Sequence, residues 1–309
     1  MGYSEVYKAE DTQEPIDIIV PTHGRLKDLT TPCVEALYAH TRSPFHLIVV
    51  DDSTPDMDDG GDLTPQWFKR LQIEYTNVTF IHSDTPYKSG NQVFNIGLAH
   101  SSNRFVATVM NSTRVEPDWD VVAIQMMAQN PKIGTIGLKC LKLGWGEKQD
   151  GQIESAGIVM TSYLPCDMGR DEPGHRRANS YPCFSLQWAF ALLRREAVVG
   201  NLNEDLYQGF VGFDDVDNSL YLRYLGWEAW YCGLGTGYHL THATRGYKGY
   251  DENDKILKNR QNAEIFYKRW GYWDKFREKN PYAPEYFPNG EIKFLCNADE
   301  LPLRVNGEN

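Results

Sequence analysis

The segment IDIIVPTHGR, residues 16–25, begins with an almost unbroken run of apolar residues that ends at Pro21. Strands covered by helices on both faces of a parallel sheet have this composition, whereas strands with one face in water alternate apolar and polar residues. The loop PTHGR leads into residues 26–41, where apolar side chains recur at helical spacing. The segment therefore predicts the first strand–helix unit of a parallel α/β sheet.

Three more apolar runs of the same kind follow in the first half of the chain. They are HLIVVDD (46–52), NVTFIH (77–82) and RFVATVM (104–110), with helical patterns near residues 65–73, 89–101 and 117–129. Strands that alternate with helices predict a parallel sheet with right-handed crossovers. The predicted fold class is α/β, a Rossmann-like and mostly parallel sheet with flanking helices.

The pattern changes after residue 130. KIGTIGLKCLKL, QIESAGIVMT and FSLQWAFALLRRE predict strands between long polar loops, and GFDDVDNSLYLRYLGWEAWY predicts an acidic loop, a helix and a strand. We divide the chain into an N-terminal extension (1–15), a nucleotide-binding half (16–130), an acceptor half (131–250), and a C-terminal helix and tail (251–309). We expect the parts to form one compact unit.

The composition of the 309 residues narrows the class of protein. The formal net charge is −11, which disfavours nucleic acid as a partner because phosphate contacts need clustered Lys and Arg. The six cysteines form no CxxC pair, which is typical of a reducing cytoplasm. No apolar run approaches about 18 residues, so we expect no transmembrane segment. We expect a cytoplasmic protein, and a peripheral position at a membrane stays open.

Polar residues cluster where the predicted strands end. Parallel sheets bind ligands beyond the carboxyl ends of their strands. The residues at those ends are Thr22, Arg25, Asp51, Asp52 and Asn111. This placement predicts a nucleotide cleft.

The stretch VATVMNSTRVEPDW, residues 106–119, predicts a strand, a polar loop and the start of a helix. Such loops often hold a charged ligand through carboxylates and a metal, yet this loop offers Asn111, Ser112 and Thr113 and no acid. Without these acids to hold a metal, other groups would have to balance the charge of a bound ligand.

Six stretches resemble, in their shared order, the family 2 glycosyltransferases of the GT-A fold, particularly the rhamnosyltransferase-like branch. They are IDIIVPTHGR, HLIVVDDST, FNIGLAHS, VEPDWD with KIGTIGLKC, QWAFALLRREAV, and GFDDVDNSLYLRYLGW. The resemblance covers about residues 16–275. It implies the GT-A fold and an inverting hexosyl- or deoxyhexosyltransferase. The donor would be a UDP-, TDP- or GDP-sugar, and the acceptor a hydroxyl of a glycan, a lipid-linked sugar or a protein.

The resemblance also implies roles for the acidic loop. Asp215 matches the second acid of the family's acidic pair and would be the general base, and Asp214 would orient the acceptor or the base. The alternative is that both acids only cap the first turn of a helix, where carboxylates are favourable.

The nucleotide would lie against the ends of the first strands. Asp51 and Asp52 would accept hydrogen bonds from a base or ribose, with Thr22 and Arg25 beside the base, Asn95 near the same pocket, and Asn111, Ser112 and Thr113 along the donor. Trp188 would face the acceptor sugar, or would simply be a core aromatic residue.

The family's DxD-type metal motif falls on Met110, Asn111 and Ser112, so Ser112 replaces the metal-binding acid. A hydroxyl is a poor ligand for Mg²⁺ or Mn²⁺. One alternative keeps the cation, with Asn111 and His239 as ligands. In the other, cationic side chains replace its charge; the candidates are Arg245, Lys248 and Lys88. His239 aligns with a late histidine of the family, His242 is a second candidate for that role, and nearby glycines favour a loop there.

Two other functions are alternatives to sugar transfer. A catalytically weak protein that binds sugar nucleotides or glycans would also tolerate the loss of the metal-binding acid. A nucleotidyltransferase would need metal-binding carboxylates and a glycine-rich phosphate loop, and the sequence has neither.

Overall fold

The structure, a computed structural model, describes residues 14–54, 64–144, 148–161, 164–210, 212–240, 243, 252–279 and 292–303. The predicted N-terminal extension therefore lies almost wholly outside the described residues. So do most of the loop after residue 240 and part of the tail.

The four strands predicted in the first half are present, and they are joined by helices. The elements are β1 (Ile16–Thr22), a π-helical turn (Leu26–Thr30), α1 (Thr31–His40), β2 (Phe45–Asp52), α2 (Thr64–Glu74), β3 (Val78–Ser83), α3 (Gly90–Ala99), β4 (Phe105–Val109), β5 (Thr113–Val115) and α4 (Val121–Gln129). The short strand β5 was not predicted, because its three residues stand in a stretch that has the composition of a polar loop.

The second half adds strands of both directions. Its elements are β6 (Ile133–Gly144), β7 (Lys148–Ser155), β8 (Ile158–Thr161), β9 (Leu164–Asp167), β10 (Tyr181–Pro182), β11 (Phe190–Arg194), α5 (Arg195–Val198), α6 (Asp214–Tyr224), β12 (Glu228–His239), α7 (Glu252–Arg269), α8 (Trp273–Lys279) and a 3₁₀ turn (Ala298–Glu300). QIESAGIVMT is two strands rather than one. The strand is interrupted at Gly157, whose φ of 94° lies outside the extended region.

One sheet carries the site, with the strand order β10–β12–β6–β11–β4–β1–β2–β3. Strands β1, β2, β3 and β4 run parallel, and β6 and β12 run parallel to each other. Strand β11 lies between β4 and β6 and is antiparallel to both. The carboxyl ends of these six parallel strands and the amino end of β11 therefore meet at one edge of the sheet.

Both faces of the sheet are covered, which explains the continuous apolar runs. Ile18 and Val20 of β1 pack in one hydrophobic cluster with α1, α2 and α4, and Ile19 packs in a second cluster with α3. Helices α6 and α7 meet in a third cluster around Leu220 and Phe266. Within the described ranges, no helix combines the length and the apolar character needed to cross a bilayer.

Candidate active site

A hydrogen-bonded knot joins the ends of β1 and β4. The hydroxyl groups of Thr22 and Thr30 lie 2.7 Å apart, and the amide nitrogen of Asn111 donates to both at 3.1 Å. All three side chains are buried. The knot fixes where the loop after β4 stands relative to the loop after β1.

The two aspartates that end β2 have different surroundings. Asp51 is fully buried, and its carboxylate accepts from the Thr54 backbone N–H and hydroxyl and pairs with His82 at 2.6 Å. Its lone pairs serve the turn at 51–54, and its contact with a nucleotide stays a prediction. Asp52 is half-buried and accepts the Tyr87 N–H at 2.7 Å. Burial raises the pKa of the Asp52 carboxyl, and the Tyr87 N–H partly offsets that rise.

Arg25 connects the first loop to the far end of the chain. Its φ is 52°, in the left-handed region, and its guanidinium donates to the Ala243 carbonyl at 2.7 Å and reaches Asp28 at 3.4 Å. Beside it, the Gly24 N–H donates to the Thr54 hydroxyl at 2.6 Å. The loop predicted to meet the nucleotide is thus held from two sides.

The acid-free stretch after β4 is more ordered than a loop. Thr113 starts β5, is fully buried, and pairs with His239 in the ladder between β5 and β12. Ser112 is buried, and its carbonyl accepts the Leu240 N–H at 3.0 Å. Arg114, which the sequence analysis did not single out, donates to the carbonyls of Asp28, Leu29, Asn111 and Thr113. This buried cation holds the stretch in place.

His239 ends strand β12, so the loop expected here is wrong up to this residue. Its Nδ1 lies 3.0 Å from Glu154 Oε2, and Glu154 is almost fully buried. A carboxylate can only accept, so Glu154 fixes Nδ1 as the donor and leaves Nε2 for another partner. Glu154 was missed, although a single acid inside the apolar strand QIESAG was a detectable signal.

Two other predicted residues make contacts away from the strand ends. The ammonium of Lys88 pairs with Asp205 at 2.5 Å and Glu204 at 3.2 Å. Its role as a cation that replaces a metal stays a prediction. The amide of Asn95 donates to the Leu202 carbonyl at 3.0 Å and attaches helix α3 to the loop before α6. Its contact with a nucleotide stays a prediction. His242, Arg245 and Lys248 lie outside the described residues.

The acidic pair Asp214–Asp215 begins helix α6. The residue before it, Phe213, has a φ of 75°, and its ring packs against Phe266 and Tyr267 of α7 with centroids 5.5 and 5.9 Å away. A non-glycine residue persists in the left-handed region only where its surroundings fix it. The α7 contacts therefore hold the turn that aims both acids.

Burial raises the pKa of both acids. For Asp214 the backbone N–H groups of the first turn partly offset the rise. For Asp215 the neighbouring charge of Asp214 adds to burial, while the Val216 and Trp188 N–H groups oppose it. No Lys, Arg or His of the described ranges forms an ion pair with either acid. Such a raised pKa makes a carboxylate a better proton acceptor once it is ionised.

The end of β9 adds a third acid that was not predicted. Asp167 raises the pKa of Asp215 through its charge, and it accepts from Gln187 at 2.7 Å and Arg170 at 2.9 Å. Arg170 lies three residues after Asp167, in the polar segment CDMGRDEPGHRRANS.

Trp188 has the surroundings of a core aromatic residue, the second of its two alternatives. Its indole is 1% exposed, donates to the Ser219 hydroxyl at 3.2 Å, and packs edge-on against Phe94. Its backbone N–H, by contrast, supports Asp215. Trp188 is a core residue that positions the acid through its main chain.

The two predicted metal ligands, Asn111 and His239, offer few atoms to a divalent cation. With its nitrogen used in the knot, Asn111 offers its side-chain oxygen, and His239 offers one imidazole nitrogen. In the part of the chain that the structure covers, no three His, Cys, Asp or Glu side chains are grouped to hold a metal ion. Mg²⁺ and Mn²⁺ prefer several oxygen ligands, so these residues do not fit a cation held by the protein.

The sequence model of glycosyl transferase family 2 matches residues 17–198, more than half of the chain. The chain belongs to glycosyl transferase family 2. An uncharacterized protein of Sinorhizobium fredii, y4gI, is 27% identical over 287 residues, which are 89% of this chain and 29% of that protein. The chain thus spans less than a third of that relative.

Solved structures share the fold. GalNAc-T7 with UDP, GalNAc and Mn²⁺ matches with a TM-score of 0.73 at 12% identity, over 90% of this chain and 53% of that chain. The S. aureus TarS 1–349 complex with UDP-GlcNAc matches at 0.54 and 13%, over 85% and 73%. The Pyrobaculum calidifontis mannosyltransferase PcManGT with GDP-Man and Mn²⁺ matches at 0.53 and 17%, over 78% and 61%. The predicted α/β fold of the GT-A type is confirmed.

Proposed function

We propose that the chain transfers a sugar from a nucleotide-sugar donor to an acceptor hydroxyl, with Asp215 as the general base. The acceptor oxygen attacks the anomeric carbon, its proton passes to Asp215, and the bond to the nucleoside diphosphate breaks with inversion. Family membership supports transfer in general. The GalNAc-T7 and TarS structures, which hold UDP or UDP-GlcNAc, favour UDP as the nucleotide.

One observation carries the proposal. The residues just before β11 connect the two halves at the sheet edge. The Ala189 carbonyl accepts the Met110 N–H at 2.9 Å, and the N–H of the preceding residue, Trp188, forms a hydrogen bond with the Asp215 carboxylate. The base is therefore connected through the main chain at residues 188–189 to the 111–113 stretch, where the donor would lie. A base must come within hydrogen-bond reach of the proton it takes, and this connection supports such reach.

On the donor side, Asp52 and Arg25 would bind the base and ribose, and Thr22 and Asn111 would shape the pocket beneath them. A carboxylate has several lone pairs, so Asp52 accepts the Tyr87 N–H and a ligand donor at once. His239, oriented by Glu154, would contact a diphosphate oxygen as the imidazolium, because in the neutral ring only Nδ1, which faces Glu154, carries a hydrogen. We propose that Ser112 stands where relatives carry the metal-binding acid.

The negative charge of the diphosphate must be balanced by other groups, because the described residues do not fit a divalent cation. We propose that it is met by His239, by the main-chain stretch at 111–113, and by Arg245 or Lys248. Full activity in EDTA would support this. Loss of activity in EDTA that Mn²⁺ restores would contradict it.

Two finer proposals concern substrate and location. The donor sugar is a hexose or deoxyhexose, with the rhamnosyltransferase-like branch as the nearest model, and the acceptor is a glycan, a lipid-linked sugar or a protein. A cytoplasmic location is supported by the six cysteines, all of which are free. A protein purified mainly with membranes would favour a peripheral position.

The test of the proposed function combines binding with turnover. UDP-, GDP- and TDP-sugars are screened by thermal shift with Mn²⁺ and with EDTA, and release of nucleoside diphosphate is measured with a mixture of acceptor glycans and with water alone. Ligands that bind the folded state stabilise it according to concentration over affinity. We expect one nucleotide class to stabilise the wild type and to be consumed.

Asp215→Asn is the decisive variant. We expect turnover to fall about 1,000-fold, within the range that general-base removal produces, with unchanged nucleotide stabilisation. Asp205→Asn, which removes a surface acid that pairs with Lys88, is the matched control and should keep turnover.

The rival is a protein that binds nucleotide sugars without turning them over. Stabilisation with neither transfer nor hydrolysis would favour it. Equal turnover of Asp215→Asn and the wild type would reject Asp215 as the base.

A further inference from the structure

An exposed aromatic ring stands beside the acidic pair. Phe210 is 37% exposed, although it belongs to a segment packed between helices α3 and α7. A methyl group added to Gly90, the first residue of α3, would lie 2.6 Å from Asp214 Oδ2 and 3.4 Å from two carbons of the Phe210 ring. The ring and the carboxylate therefore flank the same glycine.

The segment that carries Phe210 is fixed on both sides. Toward α3, the Gly209 N–H donates to the Lys88 carbonyl at 2.8 Å, and the Gly90 N–H donates to the Gly209 carbonyl at 3.3 Å. Toward α7, the Asn262 amide accepts the Gln208 N–H and donates to the Gln208 carbonyl, both at 3.1 Å. The main chain that carries the ring is thus fixed on both sides, while part of the ring itself is exposed to solvent.

We propose that Phe210 is the stacking surface for a neutral pyranose ring of the acceptor; this inference rests on the proposed function. An aromatic face binds the apolar C–H face of a sugar, whose hydroxyl groups then project from the ring edge. With the sugar on Phe210, a hydroxyl at its edge could reach toward Asp214, whose carboxylate flanks the same glycine as the ring. Trp188, which the sequence suggested for this task, is buried and cannot perform it.

Charge selects the class of acceptor. The charges of Asp214 and Asp167 both act on Asp215, and the Arg170 guanidinium is paired with Asp167. An anionic acceptor would enter against like charges. A neutral sugar meets no such repulsion, so the acceptor is a neutral glycan rather than a phosphate-bearing polymer.

The test uses an array of neutral and anionic glycans, probed with the full chain in the presence of UDP. Wild type, Phe210→Ala and Phe210→Trp are compared, with Phe294→Ala as the matched control because Phe294 is an exposed phenylalanine of the tail (55%). We expect wild type, Phe210→Trp and Phe294→Ala to bind neutral glycans and Phe210→Ala to bind them about tenfold more weakly, the usual scale of one aromatic contact.

Three results would overturn the inference: no neutral glycan bound, anionic glycans preferred, or equal binding by Phe210→Ala and wild type. UDP affinity is measured on the same samples. If Phe210→Ala weakens UDP-sugar binding instead of glycan binding, the ring serves the donor and the inference is wrong. If no variant, including wild type, binds any nucleotide sugar, the proposed function itself fails, which is a different outcome.

Discussion

The donor side and the acceptor side of the proposed site differ in whether their polar groups have partners within the protein. On the donor side, Thr22, Asn111 and Asp51 are bonded to other parts of the chain before any ligand arrives. On the acceptor side, Asp214 and Asp215 are packed next to each other, with raised pKa values and no cation from the described residues to neutralise them.

This difference separates structural polar groups from chemical ones. Internal partners make the donor side a rigid frame whose loops are already in place for a ligand. The acidic pair stores unfavourable electrostatic energy, which is the usual mark of groups that transfer protons. Changes on the donor side should therefore alter stability, and changes on the acceptor side should alter turnover.

The largest effect that sharpens this contrast is expected from Gly90→Ala. The added methyl group would stand 2.6 Å from Asp214 Oδ2, so the carboxylate must move. Displacement of a reacting group by about 1 Å costs about 100-fold in rate. We expect kcat to fall by that factor while the affinity for nucleotide, measured by calorimetry, stays unchanged.

Gly97→Ala is the control in the same helix. Its methyl group would meet Ile19 at 2.7 Å in the core, away from the acids. It should lower the melting temperature without a specific loss of kcat. A kcat loss as large as that of Gly90→Ala would mean that both variants act through stability.

The second contrast concerns the free energy of unfolding, which one variant on each side should change in opposite directions. Asp51→Asn puts an amide NH₂ among donors from Thr54 and His82, and we expect it to cost about 2 kcal/mol in the free energy of unfolding. Asp215→Asn should instead stabilise the protein at neutral pH. A raised folded-state pKa means that ionising the acid costs stability, a cost that is absent below about pH 4 and grows as pH rises through the folded pKa.

Urea unfolding at pH 4 and pH 8 checks both changes. The gain of Asp215→Asn over wild type should be present at pH 8 and should vanish at pH 4. A destabilised Asp215→Asn at pH 8 would mean that the carboxylate has a stabilising partner, and the contrast between the two sides would break.

The smallest effect is a shift in pH dependence. Turnover should rise with pH as Asp215 loses its proton. Because the charge of Asp214 raises the pKa of Asp215, Asp214→Asn should move the acid limb of the kcat/KM profile to lower pH. An unmoved limb would show that another group titrates in the reaction.

Local patterns in the sequence were enough to predict the parallel core. The runs at 16–21 and 46–52 are apolar throughout because both faces of β1 and β2 are covered, and that pattern is visible without coordinates. The helix that begins at Asp214 was likewise marked by its acidic first turn.

Contacts between distant residues could not be predicted in the same way. Glu154 meets His239 across 85 positions, and Arg25 meets Ala243 across 218. The two alternatives for Trp188 stayed open because sequence shows that an indole is present but not which way it faces. Asp51 and Asp52 are adjacent in the chain, and only their partners show that one serves the turn and the other is open to a ligand.

The most direct test of the account is a crystal structure of the chain with UDP. We predict that the base and ribose lie against Asp52 and Arg25, with the diphosphate between His239 and the 111–113 stretch and its terminal phosphate facing Asp215. An ordered UDP elsewhere would contradict the account, for example in the cavity between the β8–β9 hairpin and the tail that Met160, Phe184 and Leu301 line.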